Sequence, residues 1–447
     1  MIDVLVVGAG PTGLALACDL ARRGVDVRVI DKAPEPFGGS RGKGLQERSL
    51  EVLADLGVID EITAAGWDLP TRIHIGDQPV REVRVGGAAL LLPQWSVEKA
   101  LRDKLRQSGV RVEFGVELVS FAQSDSSVVA SVPGETIEAK YMVGCDGGRS
   151  VTRKALGVAF DGETAAEQLF LIADAEVSGL TRDATHMWID PNRGMFAVTP
   201  FPATRQWQIQ VAGDPATPTP PEFQRLCREY IGSTDVTLSN FTWMSAYRPN
   251  VRMVDRFRVG RVFLAGDAAH VHPPTGGLGM NTGIQDAYNL GWKLARAVAG
   301  TASPGLLDTY QDERLPVAEW TLATSTQALM TVVAVVRAGS NKIEAGVKDE
   351  HRQLDLAYPN SPLSKNLTDW TGPRAGDRSP WADKAKGPDF TLLAFAGEAP
   401  TIAGVRTHLM PKQDDKDVLV LVRPDGHIGM VATPKDVKSI ADYVARP

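Results

Sequence analysis

The chain has 447 residues, and its 48 Lys and Arg against 54 Asp and Glu give a net charge of −6. This mildly acidic balance excludes a general nucleic-acid binder, and 43% hydrophobic residues exclude a mostly disordered chain. By length we expect about two to three domains. The sequence has no run of about 20 apolar residues, and it begins on a strand pattern without a basic leader. We therefore expect a cytoplasmic protein that does not span a membrane.

The cysteines and paired histidines do not predict a metal or thiol site. Cys18, Cys145 and Cys227 stand far apart, with no C-x-x-C pair for redox chemistry or zinc. We interpret them as small buried hydrophobic residues. His270 and His272 are two residues apart, but no Cys or carboxylate pattern with metal-ligand spacing accompanies them. No metal is expected.

The first chemical motif lies at the N-terminus. Residues 2–7 are an apolar run of strand length, residues 11–23 follow a helix pattern, and residues 25–30 form a second strand that ends at Asp31. A G-x-G-x-x-G turn joins the first strand to the helix. This order of elements predicts a dinucleotide-binding βαβ unit, which either FAD or NAD could use.

Each glycine of that turn has a structural reason. Gly8 permits the tight turn, Gly10 lets the backbone approach a pyrophosphate, and Gly13 allows close helix–strand packing. The carboxylate at the end of the second strand is placed to accept from ribose hydroxyls. The candidate cofactor-binding residues of this unit are Gly8, Gly10, Pro11, Thr12, Gly13, Asp31 and Lys32.

Two later segments narrow the choice of cofactor. Residues 141–157 read as a short strand that ends in Cys145-Asp146-Gly147-Gly148. Residues 261–291 read as a strand that ends at Gly266-Asp267, then a Gly/Pro-rich loop, then a helix that begins near Met280. With the N-terminal unit, these segments resemble the aromatic-ring flavoprotein monooxygenases, which include phenol and p-hydroxybenzoate hydroxylases. The resemblance covers about residues 1–330.

The resemblance implies an α/β fold with three domains. A Rossmann-like FAD-binding domain is expected from residues 1–65, 93–158 and 255–336. An antiparallel-sheet substrate domain like that of p-hydroxybenzoate hydroxylase is expected from 66–92 and 159–254. Residues 366–447 resemble the thioredoxin-like C-terminal domain of the phenol and polyketide hydroxylases, with strands at 390–397 and 417–432 and a turn at 424–427. This domain lacks a C-x-x-C pair, so we expect it to act as a brace or a subunit contact.

The same resemblance assigns the flavin contacts. Asp267 is expected at the ribityl or pyrophosphate side of FAD, Gln94 at the ribityl chain, and Arg41 against the flavin. Taken without the family, Arg41 and Gln94 are ordinary polar residues of a loop and a strand end. The segment around Asp146, with Gly147, Ser150 and Arg153, is expected to contact both FAD and the nicotinamide. The loop along the isoalloxazine edge contributes Pro274, Gly277, Gly279, Met280 and Asn281.

A single dinucleotide fingerprint implies that NADPH or NADH binds only transiently, and the choice between them is open. In the family the reduced flavin adds O₂ at its C4a atom, and the resulting hydroperoxide oxygenates an electron-rich ring. Pro274 lies by resemblance close to where that hydroperoxide forms, and Arg41 lies against the flavin. These two residues are therefore the predicted catalytic residues.

The substrate side is predicted from strand patterns at 168–177, 186–199 and 206–212, which suggest a sheet with one face toward the pocket. Aromatic and apolar side chains there suit a flat hydrophobic substrate, although large apolar residues on a sheet are more often ordinary core. The candidate substrate-binding residues are Trp188, Met195, Phe196, Pro200, Phe201 and Pro274. No residue stands out as a base, because His74, His186 and Arg193 are only polar groups in the right region.

The sequence thus predicts an FAD-dependent, NAD(P)H-using monooxygenase that hydroxylates a bulky aromatic, such as a phenol, a polyketide or an aromatic antibiotic. A halogenase or reductase of the same fold is one alternative, although the W-x-W-x-I-P signature of halogenases is absent. A flavoprotein that binds a hydrophobic ligand without turnover is another. A homodimer is compatible with the resemblance, and the particular substrate is open.

Overall fold

The computed structural model describes residues 1–84, 90–164, 169–212, 217–340, 342, 348–412 and 416–447. Parts of the predicted segments 66–92, 159–254 and 168–177 lie outside the described residues. The helices are α1 (Pro11–Ala21), α2 (Glu47–Asp55), α3 (Ile59–Ala64), α4 (Gln94–Gln107), α5 (Val151–Ala155), α6 (Pro220–Ile231), α7 (Leu278–Val298), α8 (Thr309–Arg337) and α9 (Val437–Ala445). No helix in this described part of the chain is long and apolar enough to cross a bilayer.

The strands are β1 (Ile2–Val7), β2 (Val27–Asp31), β3 (Gly44–Leu45), β4 (Thr71–His74), β5 (Arg81–Val83), β6 (Leu90–Leu91), β7 (Val112–Phe114), β8 (Ser120–Gln123), β9 (Val128–Val132), β10 (Glu135–Gly144), β11 (Asp161–Thr164), β12 (Phe170–Ser178), β13 (Thr185–Asp190), β14 (Gly194–Pro200), β15 (Gln206–Ala212), β16 (Thr237–Tyr247), β17 (Asn250–Met253), β18 (Arg258–Val259), β19 (Val262–Leu264), β20 (His270–Val271), β21 (Lys365–Asn366), β22 (Phe390–Phe395), β23 (Val405–Leu409), β24 (Val418–Val422) and β25 (Ile428–Ala432). Helices and strands together make an α/β fold, as predicted.

The first sheet is built on the predicted βαβ unit. Its strands run in the order β18-β19-β10-β1-β2-β7, and β19, β10, β1, β2 and β7 are parallel. In β1, Val4 and Val6 pack in one core with α1 and α7, while Leu5 and Val7 pack in a second core with β9. A parallel sheet covered on both faces requires such a continuous apolar run. Parallel pairing brings the carboxyl ends of β1, β10 and β19 to one edge of the sheet.

The second sheet has the order β16-β12-β15-β14-β13-β4-β5. The prediction of an antiparallel sheet is confirmed for β12 to β16, but β4 pairs with β13 in parallel, so the sheet is mixed at that edge. The single strand predicted at 186–199 is a hairpin of β13 and β14. A shorter sheet of β11, β17 and β20 also contains residues of both predicted domains, whose boundaries stay a prediction.

Helix α8 reaches from the first sheet's layer to the second sheet. Near its start, Tyr310 is fully buried in the core shared with α1 and α7. Near its end, Val336 packs against Ile73 of β4 and Ile189 of β13. At 1.5 Å per residue its 29 residues extend about 43 Å. One continuous helix therefore contacts both layers.

The C-terminal residues form a mixed five-stranded sheet in the order β21-β25-β24-β22-β23, with β22 and β23 parallel. The predicted turn at 424–427 joins β24 to β25. The core of this module is not closed on itself, because Trp292 of α7 and Leu306 pack into it. The three cysteines are buried and unpaired, as predicted.

A buried cluster of charges joins the module to α7 and α8. Arg423 forms a 2.6 Å ion pair with Glu313, and Lys293 reaches the same carboxylate at 2.7 Å. Asp425 pairs with Arg423 and accepts from the indole N–H of Trp292. Burial alone would raise the pKa of Glu313, but the Arg423 and Lys293 charges overcome it and hold that pKa well below its usual value. Two cations thus balance two carboxylates in a site without water contact.

We expect Arg423→Met to lower the free energy of unfolding by about 3–5 kcal/mol, because it leaves two buried carboxylates with one cation. Urea unfolding followed by circular dichroism measures this change. The control is Arg256→Met, which breaks an exposed ion pair with Asp255 and should change the same quantity by about 0.5 kcal/mol or less. Equal effects of the two substitutions would contradict a structural role for the buried cluster.

Candidate active site

The three sequence motifs meet where β1, β10 and β19 end. The N–H of Cys145 donates to Val7 at 2.7 Å, and the N–H of Ala265 donates to Gly144 at 3.0 Å. A Cβ on Gly8 would stand 2.3 Å from the Cys145 carbonyl oxygen, and Gly8 has a φ of +107°. Only glycine fits there, because the first and second motifs touch backbone to backbone.

The remaining glycines of the first motif divide into packed and open positions. A Cβ on Gly13 would lie 2.0 Å from the Gly8 carbonyl oxygen, so this position is needed for packing. A Cβ on Gly10 would meet nothing within 4 Å. Gly10 precedes Pro11, the first residue of α1, and the helix begins there without a side-chain cap. The N-terminus of α1 therefore points its free N–H groups into open space, as an anion site requires.

Thr12 connects the first motif to the third. Its Oγ1 lies 2.5 Å from where a Cβ of Gly266 would stand and 2.3 Å from where a Cβ of Gly283 would stand. The threonine side chain thus fills the space that both glycines leave. In this structure Thr12 packs α1 on α7.

Asp31 faces back toward the glycine turn. Its carboxylate accepts from the N–H of Ala9 at 2.7 Å and from the N–H of Ala33 at 2.8 Å. The neighbouring Lys32 is exposed. Asp31 is half-buried, so part of its side chain remains accessible at the end of β2.

The second motif is largely engaged in its own structure. The Asp146 carboxylate accepts from the Ser150 hydroxyl at 2.5 Å and from the N–H groups of Val151 and Thr152, which caps α5. Arg153 donates to the Ala268 carbonyl at 2.9 Å and stacks 3.8 Å above the Phe160 ring. These side chains hold the second motif to the third, and Gly147 lies beside them with a φ of +78°.

Arg41, Gln94 and Asp267 surround one space. Gln94 accepts from the Gly42 N–H at 3.2 Å and donates to Glu98 at 2.8 Å. Burial raises the pKa of both Glu98 and Asp267, and the positive charge of Arg41 acts on both in the opposite direction. The Asp267 side chain is accessible, yet protein surrounds it closely enough to desolvate it. An accessible but desolvated carboxylate lines an internal cleft rather than the outer surface.

The Gly/Pro-rich loop is fixed by Asn281. This fully buried amide donates to the Gly277 carbonyl at 2.6 Å and to the Gly44 carbonyl at 3.0 Å, and it accepts from the Gln46 N–H at 2.8 Å. Asn281 therefore ties the loop to the segment that carries Arg41. Pro274 and Gly277 are exposed, and Gly279 and Met280 are half-buried at the start of α7.

Sequence reasoning missed a buried network behind this loop. Asp286 of α7 accepts from His270 at 2.7 Å, from Arg314 at 2.7 Å and from the Gly266 N–H at 3.0 Å. His272 lies inside the loop with no hydrogen-bond partner for Nε2, and burial lowers its pKa to about 4. The acidic residue about two turns into α7 was a signal in the sequence, but its partners become visible only in the fold.

The two faces of the second sheet have different neighbours. Thr199 accepts from Lys43, and Gln208 donates to the Ser40 carbonyl at 2.5 Å, so their face lies against the segment that carries Arg41. Because side chains alternate along a strand, Met195 shares this face with Thr199, whereas Phe196 does not. We call it the inner face; its residues include Phe170, Ile172, Asp174, Met187, Met195, Ala197, Thr199, Gln208 and Gln210.

The outer face packs under α6. Trp188 and Phe196 belong to a core with Phe223 and Leu226 of that helix. Pro200 has the same parity as Phe196 on β14 and is the strand partner of Trp207 in that core. The sheet therefore separates Trp188, Phe196 and Pro200 from the predicted pocket and leaves Met195 beside it. Phe201, just beyond β14, is 1% exposed.

An aromatic pair that the sequence analysis did not select lies on the inner face. Phe170 and Tyr247 stack with ring centroids 5.5 Å apart, and Tyr247 is half-buried. Burial raises the pKa of Tyr247 to about 12, and a hydrogen bond with Gln210 opposes this shift. Tyr247 is thus a second accessible but desolvated group, which lies on the sheet side of the cleft.

Comparisons with known proteins agree with this geometry. The FAD binding domain family matches residues 1–325. A flavin-dependent monooxygenase of Mycobacteroides abscessus is 42% identical over 100% of both chains, and a rifampicin monooxygenase of Streptomyces venezuelae is 40% identical over 71% of this chain and 69% of its own. The chain belongs to the FAD-dependent aromatic monooxygenases.

The fold of this monooxygenase matches solved relatives as well. A ternary complex of aklavinone-11 hydroxylase with FAD and aklavinone is 26% identical, has a TM-score of 0.83 and covers 99% of this chain and 98% of that chain. The residues present fit FAD. The open cradle at Gly10 and the desolvated Asp267 lie on one edge of the first sheet, and Gln46 leaves its buried Oε1 unpartnered beside the Gly276 loop.

We expect Gly10→Ala to fold like the wild-type monooxygenase but to bind FAD at least about tenfold more weakly, because the added methyl occupies the open cradle. Flavin fluorescence titration measures the affinity, and thermal unfolding of the apoprotein checks the fold. The matched variant is Gly13→Ala, whose methyl meets the Gly8 carbonyl and should cost about 1–3 kcal/mol of apoprotein stability. Unchanged FAD affinity in Gly10→Ala would remove Gly10 from the site.

The outer face predicts an acid sensitivity. His74 stacks on Trp188 at 4.6 Å, and burial, together with His186, lowers its pKa to about 4. The unfolded chain, with a histidine pKa near 6.5, then binds more protons between about pH 6.5 and 4. As the pH drops through this window, the protonation of His74 should lower the free energy of unfolding by at most about 1.4 kcal/mol per pH unit.

His74→Phe keeps an aromatic ring beside Trp188 and removes the titrating imidazole. The substitution breaks no hydrogen bond of Nε2, because that atom has no partner among the described residues. The variant should therefore lose less stability than the wild type between pH 8 and pH 5 in urea titrations. If the free energy of unfolding fell equally with pH in the two proteins, His74 would not be a neutral imidazole in the folded protein.

Proposed function

We propose that this monooxygenase uses NADPH or NADH and O₂ to hydroxylate a bulky aromatic molecule, such as a phenol, a polyketide or an aromatic antibiotic. The observation that carries the proposal is how the segment that contains Arg41 is held: Asn281 donates to the Gly44 carbonyl, and the inner face of the second sheet contacts Lys43 and Ser40. In this proposal the cleft lies between the loop of residues 274–281, which we call the flavin loop, and the inner face of the second sheet. Accessible but desolvated groups lie on both sides, at Asp267 and at Tyr247.

In this proposal the first-motif residues hold FAD through its phosphates and ribose. The open N-terminus of α1 at Gly10 and Pro11 takes the pyrophosphate, and Asp31 accepts from the ribose hydroxyls. Asp267 and Gln94 lie along the ribityl side. When bound, FAD supplies the redox chemistry that activates O₂.

The chain's own residues then position and shield the reacting groups. Arg41 supplies the cationic side chain predicted to lie against the flavin, and its guanidinium lies 4.6 Å from the Phe37 ring, which limits its directions. Pro274 presents a carbon surface rather than a hydrogen-bond donor at the exposed part of the loop. On the opposite side, Phe170, Tyr247 and Met195 offer a flat apolar surface to an aromatic ring, which excludes water from the cleft.

The names of relatives support the substrate class. Besides rifampicin monooxygenase, the relatives include a 6-methylpretetramide 4-monooxygenase of Streptomyces rimosus, 37% identical over 82% of this chain. The sequence holds a single G-x-G-x-x-G, so NAD(P)H has no second fold of that kind to occupy. Transient binding near Asp146 and Gly147 is the corresponding proposal for the nicotinamide.

Oxygen-18 labelling tests the proposed function. The purified FAD-containing protein is mixed with NADPH or NADH, ¹⁸O₂ and a panel of polycyclic phenols. The masses of the products are then measured by mass spectrometry. At least one phenol should accelerate NAD(P)H oxidation by about tenfold, about 1.4 kcal/mol of activation free energy, and gain one ¹⁸O atom.

Controls without the aromatic, with peroxide measured, define the uncoupled rate. Tight binding of an aromatic with peroxide as the sole oxygen product would instead favour a ligand-binding flavoprotein. Incorporation of chloride or bromide would favour a halogenase.

A further inference from the structure

Lys43 stands at the boundary between the flavin side and the substrate side of the cleft. It lies two residues after Arg41 in the segment that Asn281 ties to the flavin loop. Arg41 acts electrostatically on Asp267 and Glu98, which belong to the cofactor side. The Lys43 ammonium instead donates to the Thr199 hydroxyl at 3.1 Å, on the inner face of the second sheet. The two cations of this segment therefore serve opposite sides of the cleft.

The surroundings of Lys43 leave most of its hydrogen-bonding capacity free for a ligand. An ammonium has three donors, and the described residues provide Thr199 as its hydrogen-bond acceptor. The residue is half-buried, so part of it remains accessible. Thr199 is fully buried and also accepts from Thr185, which fixes the anchor of the ammonium.

Asp174 supports the charge from behind. It lies on the inner face of β12 and is 2% exposed, and its two carboxylate oxygens have no hydrogen-bond partner among the described residues. Burial lowers the pKa of Lys43 to about 8, and the Asp174 charge acts in the opposite direction. Lys43 forms no ion pair with Asp174 or with any other carboxylate of the described residues. A cation that is held in place but not neutralised by direct contact is available to an anionic ligand.

We propose that the Lys43 ammonium is the group that recognises an ionised phenol or enol oxygen of the aromatic substrate. This inference rests on the proposed function and narrows its substrate class to aromatics with an acidic hydroxyl. On binding, the O–H bond of the substrate breaks, its proton leaves to solvent, and the oxygen keeps the electron pair beside the ammonium. Electron density released into the ring makes the ring more reactive toward an electrophilic oxygen. The neighbouring apolar surface of Phe170, Tyr247 and Met195 would hold the rest of the ring system.

The test uses the oxidised FAD protein without NAD(P)H and the probe 1,3,8-trihydroxyanthraquinone, whose absorbance changes on ionisation. In the wild type the apparent pKa of the bound probe should fall by about one unit or more below that of the free probe, a tenfold shift in the ionisation equilibrium. Lys43→Met should abolish this shift, and Lys43→Arg should retain it. The matched control is Lys438→Met, which removes an exposed ammonium far along the chain in α9 and should leave the shift unchanged.

A shift of wild-type size in Lys43→Met would overturn the inference, as would an unshifted probe in the wild type. A second comparison does not depend on how the variant folds. The wild type should bind the hydroxylated probe about tenfold more tightly than its methyl ethers, and equal affinities would overturn the inference. Oxygen-18 incorporation is measured as a separate assay. If the protein oxygenated an aromatic ether as fast as the matching phenol, the role of Lys43 would be contradicted and the proposed monooxygenase function would remain supported.

Discussion

One buried carboxylate holds the end of β19 to both long helices. Asp286 of α7 receives a backbone N–H from Gly266, the imidazole of His270 and the guanidinium of Arg314 on α8. Burial works against its negative charge, but Arg314 and His270 keep the pKa of Asp286 below its usual value. The end of β19, the turn after it and both long helices are thereby fixed to one point. The cleft has a defined shape because its cofactor side is built on this anchor.

The opposite side of the cleft depends on strand alternation. Thr199 and Met195 share a face of β14, and Phe196 points the other way into the core beneath α6. A register shift of one residue would exchange these two sets and put Val198 or Pro200 in the place of Thr199. The large aromatic residues of β13 and β14 stabilise the sheet, while smaller and polar residues of the same strands face the cleft. In β13 and β14, residue size was therefore a poor guide to which side chains share the face of Thr199.

The sequence predicted what depends on local patterns. The βαβ unit and the turn after β24 each follow from a short run of residues, and so do the strands predicted to end at Cys145 and Gly266, which end at Gly144 and Leu264 in the structure. The faces of β14 could not be predicted, because Met195 to Val198 are apolar on both sides and give no alternation to read. The contacts of Lys43 and of the buried charge cluster were not predicted for a different reason. Glu313 and Arg423 are 110 residues apart, and only the fold shows that they meet.

Helix α8 also has a consequence for how the cleft can evolve. Arg314 anchors its first part to Asp286 of α7, and Val336 packs its last part against the edge of the second sheet, with Pro316 inside the helix between them. The helix therefore acts as a spacer between the two layers. Adding or removing one residue between these anchors would move the second wall by about 1.5 Å and rotate its contact by about 100°. Insertions in the surface loops carry no such penalty. The separation of the two anchored layers thus depends on the number of helical residues between Arg314 and Val336.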